Sequence, residues 1–498
     1  MVQLCGISCI KRETTFQIIF SVLALINLVP AGMTVGYSSI ALPYLNDTHD
    51  INLTNQEPTI FASIPSIFML IGCVTSIYTM TFGRRIAITS GSLTNIIGWT
   101  VIASSYNIPQ LLIGRIIAGF AMGLCTVPGV AYISEMTTIK LSPTLNSCSS
   151  LFISLGTLFI YFLGYIIEGN WRLVACFPIL VSLLSTLLTI IYLPESPRWL
   201  LIQNQEEKAK QSLLKLRGLK NKSIKFENEF TNMILYNESK YGKKNQLNTV
   251  SITLDSDNKN FEIISLNHSE GNIFQKLSSN IVYLMEMFKI SEVWKPFLIL
   301  NTFFFFQQFC GIYVVNAYAV KLVSKTGITQ DPFQVTVIIG ILQIFGELGQ
   351  ILTSSRLGRR KTAIISGVGM TISITTLGVY NQFFLSNELS TIPLVCIFIF
   401  VTLGTFGFVN LPWSMIGELY PTRYVHILGP ITTCFCGLFN FSTIYLYPTL
   451  EKLSPIFAIY FYSFCSFCAT IFIIFTLPET VGKSKMEIEK QFKKREIN

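Results

Sequence analysis

Two adjacent amides in the middle of an apolar run are the residues best suited to chemistry. The stretch from Phe303 to Tyr318 reads F-F-F-F-Q-Q-F-C-G-I-Y-V-V-N-A-Y, inside a segment from about Pro296 to Val323 that is long enough to cross a bilayer. A buried amide without partners costs a few kcal/mol, so Gln307 and Gln308 must face other helices or a wet cavity and not lipid. At about 100° per residue, Gln307, Gly311, Tyr318 and, slightly offset, Gln308 share one broad helical face. We read that face as the wall of a polar pore for something hydroxyl-rich. Interhelical hydrogen bonding without a ligand is the alternative; the doublet beside Gly311 and two tyrosines favours the pore.

Other candidates are few. Glu347 lies inside a second apolar run, where an acid costs about 2.5–3.5 kcal/mol and is a functional suspect by default. It would accept a proton during a transport cycle, or serve only structurally, neutral or paired with a neighbouring helix. Arg115, six residues into its run, is expected near enough to a membrane face to snorkel. His49, His268 and His426 stand in separate loops, with no paired carboxylates, phosphate-binding loop or metal-ligand spacing around them, so no enzyme, metal or cofactor is expected.

The elements that must position these residues are membrane helices. Of 498 residues, 51% are hydrophobic and 13% charged, about half the charged share of soluble domains. Apolar runs of about 20 residues begin near Phe16, Thr59, Ile86, Pro109, Ser147, Trp171, Pro296, Pro332, Thr362, Ile392, Ile427 and Ser454, which makes twelve candidate spans. The first follows Lys11 and Arg12 and lacks a small-residue cleavage site, so it is expected to be retained. Lys and Arg in short loops favour the cytoplasmic side. With the N-terminus inside, the odd loops and tails hold Arg84, Arg85, Lys140, Arg356, Arg359, Arg360, Lys361 and Arg423, and the even loops hold Arg172, Lys321, Lys325 and Lys452. Both termini are therefore expected in the cytoplasm, and the net charge of +9 reads as a topology signal, with no nucleic-acid partner. Asn46 and Asn52 open glycosylation sequons in the first outer loop. The twelve cysteines lie almost all within spans, which argues against a disulfide framework.

Punctuation recurs in the two halves. Gly83-Arg84-Arg85 follows span 2 and Gly358-Arg359-Arg360 follows span 8; Glu135 ends span 4 and Glu418 ends span 10; Pro194-Glu195-Ser196 and Pro478-Glu479-Thr480 close spans 6 and 12. Three matched pairs in matched order predict an all-α integral membrane protein of two pseudo-symmetric six-helix bundles that rock about a central site. The expected division is 1–193 for the first bundle, 194–293 for a polar cytoplasmic loop, 294–480 for the second bundle and 481–498 for a cytoplasmic tail.

At these residues the chain resembles the sugar-porter family of the major facilitator superfamily. The resemblance rests on P-E-S-P-R-W-L at Pro194 to Leu200, Q-Q-x-x-G-I at Gln307 to Ile312, R-x-G-R-R at Arg356 to Arg360, P-W-x-x-x-x-E-L-Y-P at Pro412 to Pro421 and P-E-T-x-G-K at Pro478 to Lys483. Within the family it looks like the animal facilitators of glucose and trehalose type, with a lean to the insect trehalose-transporter-like branch on Gly311-Ile312-Tyr313 and Gln343. The resemblance implies sugar contacts from Gln307, Gln308, Gln343, Trp413 and Asn440, Trp413 being otherwise a packing aromatic. It also implies a cytoplasmic gate network of Arg84, Arg85, Glu135, Glu195, Arg198, Arg359, Arg360, Glu418 and Glu479. The same arginines would serve as topology anchors if they had no gate role.

The chain also departs from the family. Met80-Thr81 and Ser355 replace expected gate residues, Ser150 replaces a glutamine, Tyr313 an asparagine, and Thr405 stands where an acid sometimes does. Proton-coupled members carry an acid after Gly-Tyr in span 1, where this chain has Ser38 after Gly36-Tyr37. The expectation is a monomeric plasma-membrane protein moving a neutral sugar, hexose or trehalose, down its gradient by alternating access. Proton-coupled symport through Glu347 and a non-transporting sugar sensor are the alternatives, the latter suggested by the stripped gate and long central loop.

Overall fold

The computed structural model describes residues 2–47, 56–138, 141–219, 224–237, 286–325, 330–384, 391–421, 423–483 and 485–493. Among these, twelve helices are long and apolar enough to cross a membrane: α1 Arg12–Leu45, α2 Glu57–Phe82, α3 Arg84–Ala103, α4 Ile108–Met136, α5 Thr144–Ile166, α6 Trp171–Tyr192, α7 Ser291–Ser324, α8 Pro332–Thr353, α9 Arg359–Phe383, α10 Thr391–Leu419, α11 Ile427–Leu453 and α12 Pro455–Thr476. The first six form one bundle and the last six another, and an even number of spans brings both ends of the chain to one face. We call it the terminal face, and its opposite the far face.

Local signals set the helix ends. Asn107, Asn170, Asp331 and Ser454 each accept a hydrogen bond from a backbone N–H in the first turn of α4, α6, α8 and α12. At the terminal face α2 turns into α3 at Gly83, with φ +133°, and α8 into α9 at Gly358, with φ +90°, conformations open to glycine and costly for other residues. Among the described residues, α2 ends in a 3-10 turn at Met80–Phe82, and three membrane helices depart from ideal geometry within their length. In α1 a 3-10 turn at Ile26–Leu28 precedes Pro30, whose missing N–H cannot serve the Ile26 carbonyl, and the Val29 N–H bonds to that carbonyl instead. In α10, residues Gly404–Phe408 form a π-helical stretch ahead of Leu411–Leu419. In α7 the helix Ser291–Phe309 stops at Cys310, Gly311 takes φ +96°, and a second helix runs Ile312–Ser324. The helix is thus broken at Gly311, yet Tyr318 still meets α11, at Tyr447 with ring centroids 5.1 Å apart, the same helix that carries Cys436 and Asn440.

Outward surfaces carry large apolar side chains such as Leu184, Phe464 and Phe475, suited to lipid. The interior holds hydroxyls and amides that tie helices together: Asn27 donates to Thr189 Oγ1 at 3.0 Å and accepts from Ser92 Oγ at 2.6 Å, linking α1, α6 and α3. Backbones meet closely where glycines face them. A Cβ added at Gly72 would lie 2.1 Å from the Phe120 carbonyl, and one at Gly119 2.4 Å from that of Pro65, so α2 and α4 pack at a distance no larger residue permits.

The polar segment between bundles begins with three helices, Pro197–Ile202, Glu206–Arg217 and Ile224–Asn237. Leu200, Leu213, Phe226 and Phe230 form their common core. They are pinned to the first bundle where Arg217 donates to the Met136 carbonyl at 2.9 Å, and Ser212 ties them to the segment's own start by donating to the Glu195 carbonyl at 2.5 Å. Beyond α12, the helix Lys485–Phe492 returns to α7, where Lys295 donates to the Phe492 carbonyl at 3.2 Å. The rest of the central segment, 238–285, and the sequon at Asn52 lie outside the described residues; Asn46 is in the last turn of Val29–Asp47.

Candidate functional site

Midway along α7 the two amides are fully buried and do not line open space in this state; as in the alternative to the pore wall, they are engaged in one directional chain of hydrogen bonds between helices. Ser66 Oγ of α2 donates to Asn440 Oδ1 of α11 at 2.5 Å, and Asn440 Nδ2 donates to Gln308 Oε1 at 2.7 Å. Gln308 Nε2 donates to Gln307 Oε1 at 2.8 Å and to Cys436 Sγ at 3.0 Å, and Gln307 Nε2 donates to the Val409 carbonyl just past the π-helical stretch of α10. Four helices, one of them from the opposite bundle, are joined by uncharged donors and acceptors. The chain ends on Val409 because the π-helical register, with the Val409 N–H bonded to the Gly404 carbonyl, leaves that part of α10 irregular.

The other expected sugar contacts flank this chain. The Tyr313 hydroxyl is turned toward Gln308 and Trp413. Trp413, half-buried, meets Phe304 edge to face with ring centroids 4.9 Å apart. Gln343 of α8 instead reaches past the break in α7: its Nε2 donates to Asn316 Oδ1 at 2.5 Å, and Tyr161 of α5 donates to the Asn316 carbonyl at 2.9 Å. Gln307, Gln308 and Asn440 thus form one group, and Gln343 with Asn316 a second one toward the far face. Sequence reasoning did not single out Ser66 or Asn316. A serine in an apolar helix is too common to signal anything alone, and Asn316 shows its partner only once α7 and α8 are packed.

Glu347 lies one turn nearer the terminal face on α8, buried, with Oε1 accepting from Ser154 of α5 at 2.7 Å. Among the described residues no Lys, Arg or His pairs with it. Arg115 does not snorkel. It is 1% exposed, donating to the carbonyls of Phe61 at 3.2 Å and Thr34 at 3.0 Å and to Ser38 Oγ at 2.5 Å, with its guanidinium 4.7 Å from the Phe61 ring centroid. Helices α1 and α2 wrap the side chain before it can reach a membrane face.

The charged residues of the terminal face form the same arrangement twice. Arg84 Nη2 meets Glu135 Oε1 at 2.8 Å and Arg359 Nη2 meets Glu418 Oε1 at 2.9 Å. The second carboxylate oxygen accepts from Ser196 in one bundle and Thr480 in the other, both at 2.5 Å. Glu195 Oε1 accepts from the Arg84 N–H at 2.8 Å and Glu479 Oε1 from the Arg359 N–H at 2.9 Å; Arg85 and Arg360 add a further N–H each. Each glutamate so caps the N-terminus of a helix, α3 or α9, where a negative charge is favoured. Burial pushes the Glu195 carboxyl above its usual range, against the pull of the Ser196, Arg85 and Arg84 N–H groups. Arg85 and Arg360 donate to the carbonyls of Ile190 and Ile474, and Arg198 is on the exposed side of Pro197–Ile202. Each of these ion pairs joins helices of one bundle.

Contacts between bundles gather from the membrane centre toward the far face. Besides Ser66 with Asn440, Ser154 with Glu347 and Tyr161 with Asn316, the Val320 N–H donates to Ser39 Oγ at 3.1 Å, and Tyr44 stacks on Phe333 with centroids 4.8 Å apart.

The sequence profile described as "Sugar (and other) transporter" matches residues 31–492. A facilitated trehalose transporter, Tret1 of Apis mellifera ligustica, is 28% identical over 497 residues, covering 97% of this chain and 90% of its own. Tret1 of Bombyx mori is 28% identical over 472 residues, covering 92% and 83%. Among solved structures, that of the proton:xylose symporter XylE from E. coli, with 6-bromo-6-deoxy-D-glucose bound, superposes with a TM-score of 0.72 at 20% identity, over 97% of this chain and all of that one. The fold is that of the major facilitator superfamily.

Proposed function

We propose that this chain, which belongs to the sugar (and other) transporter family, carries a neutral sugar, hexose or trehalose, down its gradient by alternating access. The observation that carries this reading is the family match over residues 31–492, and the uncharged donors and acceptors of Ser66, Asn440, Gln308 and Gln307, bonded to one another in this state, support it. A polyol offers hydroxyls on its rim and C–H groups on its flat side, so amides and hydroxyls beside Tyr313 and Trp413 suit it, whereas charged groups would suit an ion. In this state the site's groups satisfy one another. A sugar entering between them substitutes its own hydroxyls, and in doing so separates Ser66 from Asn440 and loosens one tie between the bundles.

The clustering of cross-bundle contacts toward the far face supports a state with that mouth shut. With the arginine-rich terminal face in the cytoplasm, this is an inward-facing conformation of a plasma-membrane protein, acting as a monomer and glycosylated at Asn46 and Asn52. Residues 1–193 and 294–480 are then the two moving units, and 194–293 the tether between them. The two ion-pair networks keep each unit rigid as it moves. Downhill transport without proton coupling is supported by Ser38, which receives the buried Arg115 where coupled members place an acid.

Uptake of radiolabelled sugar into proteoliposomes tests the reading. Saturable flux that is insensitive to pH and lost on Gln308→Ala is expected; absence of flux for every hexose and disaccharide tried would overturn it. A second reading, proton symport, is favoured by the burial of Glu347 without a cationic partner among the described residues. Uptake that rises at acid pH and loses that rise in Glu347→Gln would establish it.

A further inference from the structure

The far face is poor in basic residues, yet the fold draws three of those it has to one place. Lys321 on the last turn of α7, Lys325 just past its end and Lys452 on α11 line a cavity of about 340 Å³ at the closed mouth, together with Leu42 of α1, Pro58 and Thr59 of α2, and Tyr318, Pro448 and Glu451. Glu451 is the one carboxylate of the lining; Glu57, next to Pro58 in sequence, is not part of it. Glu451 is held by Lys321 Nζ at 2.6 Å, Lys325 Nζ at 2.7 Å and the Tyr447 hydroxyl at 2.9 Å. Three ammonium groups against one carboxylate leave the cavity with excess positive charge. Each ammonium has three donors, and Lys321 and Lys325 each spend one on Glu451. The lining also includes Tyr318, 3% exposed, whose hydroxyl has no hydrogen-bond partner among the described residues.

We propose that this cavity binds a phosphate-bearing anion. A donor-rich, acceptor-poor pocket selects a ligand made of acceptors, and a phosphoryl group brings several anionic oxygens that lysines take up as a point charge. A neutral sugar, whose hydroxyls both donate and accept, would leave the ammonium groups uncompensated. Residues of both bundles line the cavity, so the anion is held only while the far mouth is shut. The phosphate is either free in solution or the headgroup of a lipid lodged between α2 and α11, where a smaller cavity lined by Gln56, Tyr445, Thr449 and Lys452 adjoins through Thr59 and Pro448.

The experiment uses the full-length protein, without sugar, in nanodiscs of phosphatidylcholine, and measures equilibrium binding of labelled inorganic phosphate. Saturable binding is expected, weakened roughly tenfold by the double substitution Lys325→Gln with Lys452→Gln. Glu451→Gln, which frees two ammonium groups, is expected to strengthen binding, a gain that mere damage to the fold would not produce. If inorganic phosphate does not bind but phosphatidate in the nanodisc raises the melting temperature, and the lysine substitutions abolish that rise, the same site takes a lipid phosphate. No effect of either phosphate source, or effects indifferent to the lysine substitutions, would overturn the proposal. Binding is read without transport, so a failure of sugar flux leaves this result standing, and the reverse.

Discussion

At the scale of single residues, the hydrogen-bond chain through α7 separates two kinds of loss. Gln308→Ala removes the acceptor of Asn440 and the donor to Gln307, leaving buried amide atoms unpaired at about 1–3 kcal/mol each. Uptake should fall at least about tenfold while surface expression, read by labelling of intact cells, stays within about twofold of wild type. Ser66→Ala deletes only the hydroxyl that bridges the bundles, next to an Asn440 that keeps its bond to Gln308. It should raise the maximal rate or leave it unchanged while weakening sugar affinity severalfold, and a fall in rate equal to that of Gln308→Ala would show that Ser66 is no mere tie. In Glu347→Gln the bond from Ser154 survives, because an amide oxygen accepts as a carboxylate does. Uptake near the wild-type level at every pH from acid to neutral is the expected outcome for an uncoupled carrier.

Single helices bring their own requirements. The break in α7 depends on Gly311 at φ +96°, a conformation that costs other residues roughly 1–2 kcal/mol. The Tyr462 side chain also lies 3.2 Å from where a Cβ would stand. Gly311→Ala should therefore lower the melting temperature by a few degrees in detergent and slow transport, because both halves of α7 carry polar contacts set by that break. Matched restraints act on α3 and α9, each capped by a glutamate and tied through an arginine to a second one. Exchanging the charges in Arg359→Glu with Glu418→Arg should recover part of the stability lost in Arg359→Glu alone, since that pair is largely buried, and no recovery would show that geometry outweighs charge there. Neutralising Arg359 and Arg360 together should reduce turnover more than surface expression; an equal loss of both would mark them as topology anchors.

For the whole molecule, the decisive feature is that contacts between bundles gather toward the far face, while the ion pairs Arg84–Glu135 and Arg359–Glu418 each join helices of one bundle. Cysteines placed at Ser39 and Val320, which meet in this state, should cross-link under mild oxidation and stop uptake, with recovery on reduction. Uptake unaffected by a completed cross-link would mean that α1 and α7 do not part at that point during the cycle. Much of this organisation was legible from residue types. Twelve apolar runs, three matched pairs of motifs and the Gln307–Gln308 doublet are each visible in one dimension, because a polar residue in a membrane helix stands out against its neighbours. Arg115, expected to snorkel, lies buried instead. Depth in a bundle depends on what packs alongside, and no spacing along one helix records that.

By itself, then, the sequence determined that the chain crosses a membrane twelve times, that its halves repeat one another and that its central groups are uncharged. These follow from the cost of placing polar groups in hydrocarbon, which acts on each segment alone. The tertiary structure decided which groups meet: that Ser66 of one bundle completes the chain through Asn440 and Gln308 of the other, that the arginines pair within bundles, and that lysines distant in sequence converge on one cavity. Such meetings depend on the packing of helices far apart in the chain, where a shift of one turn would change every partner.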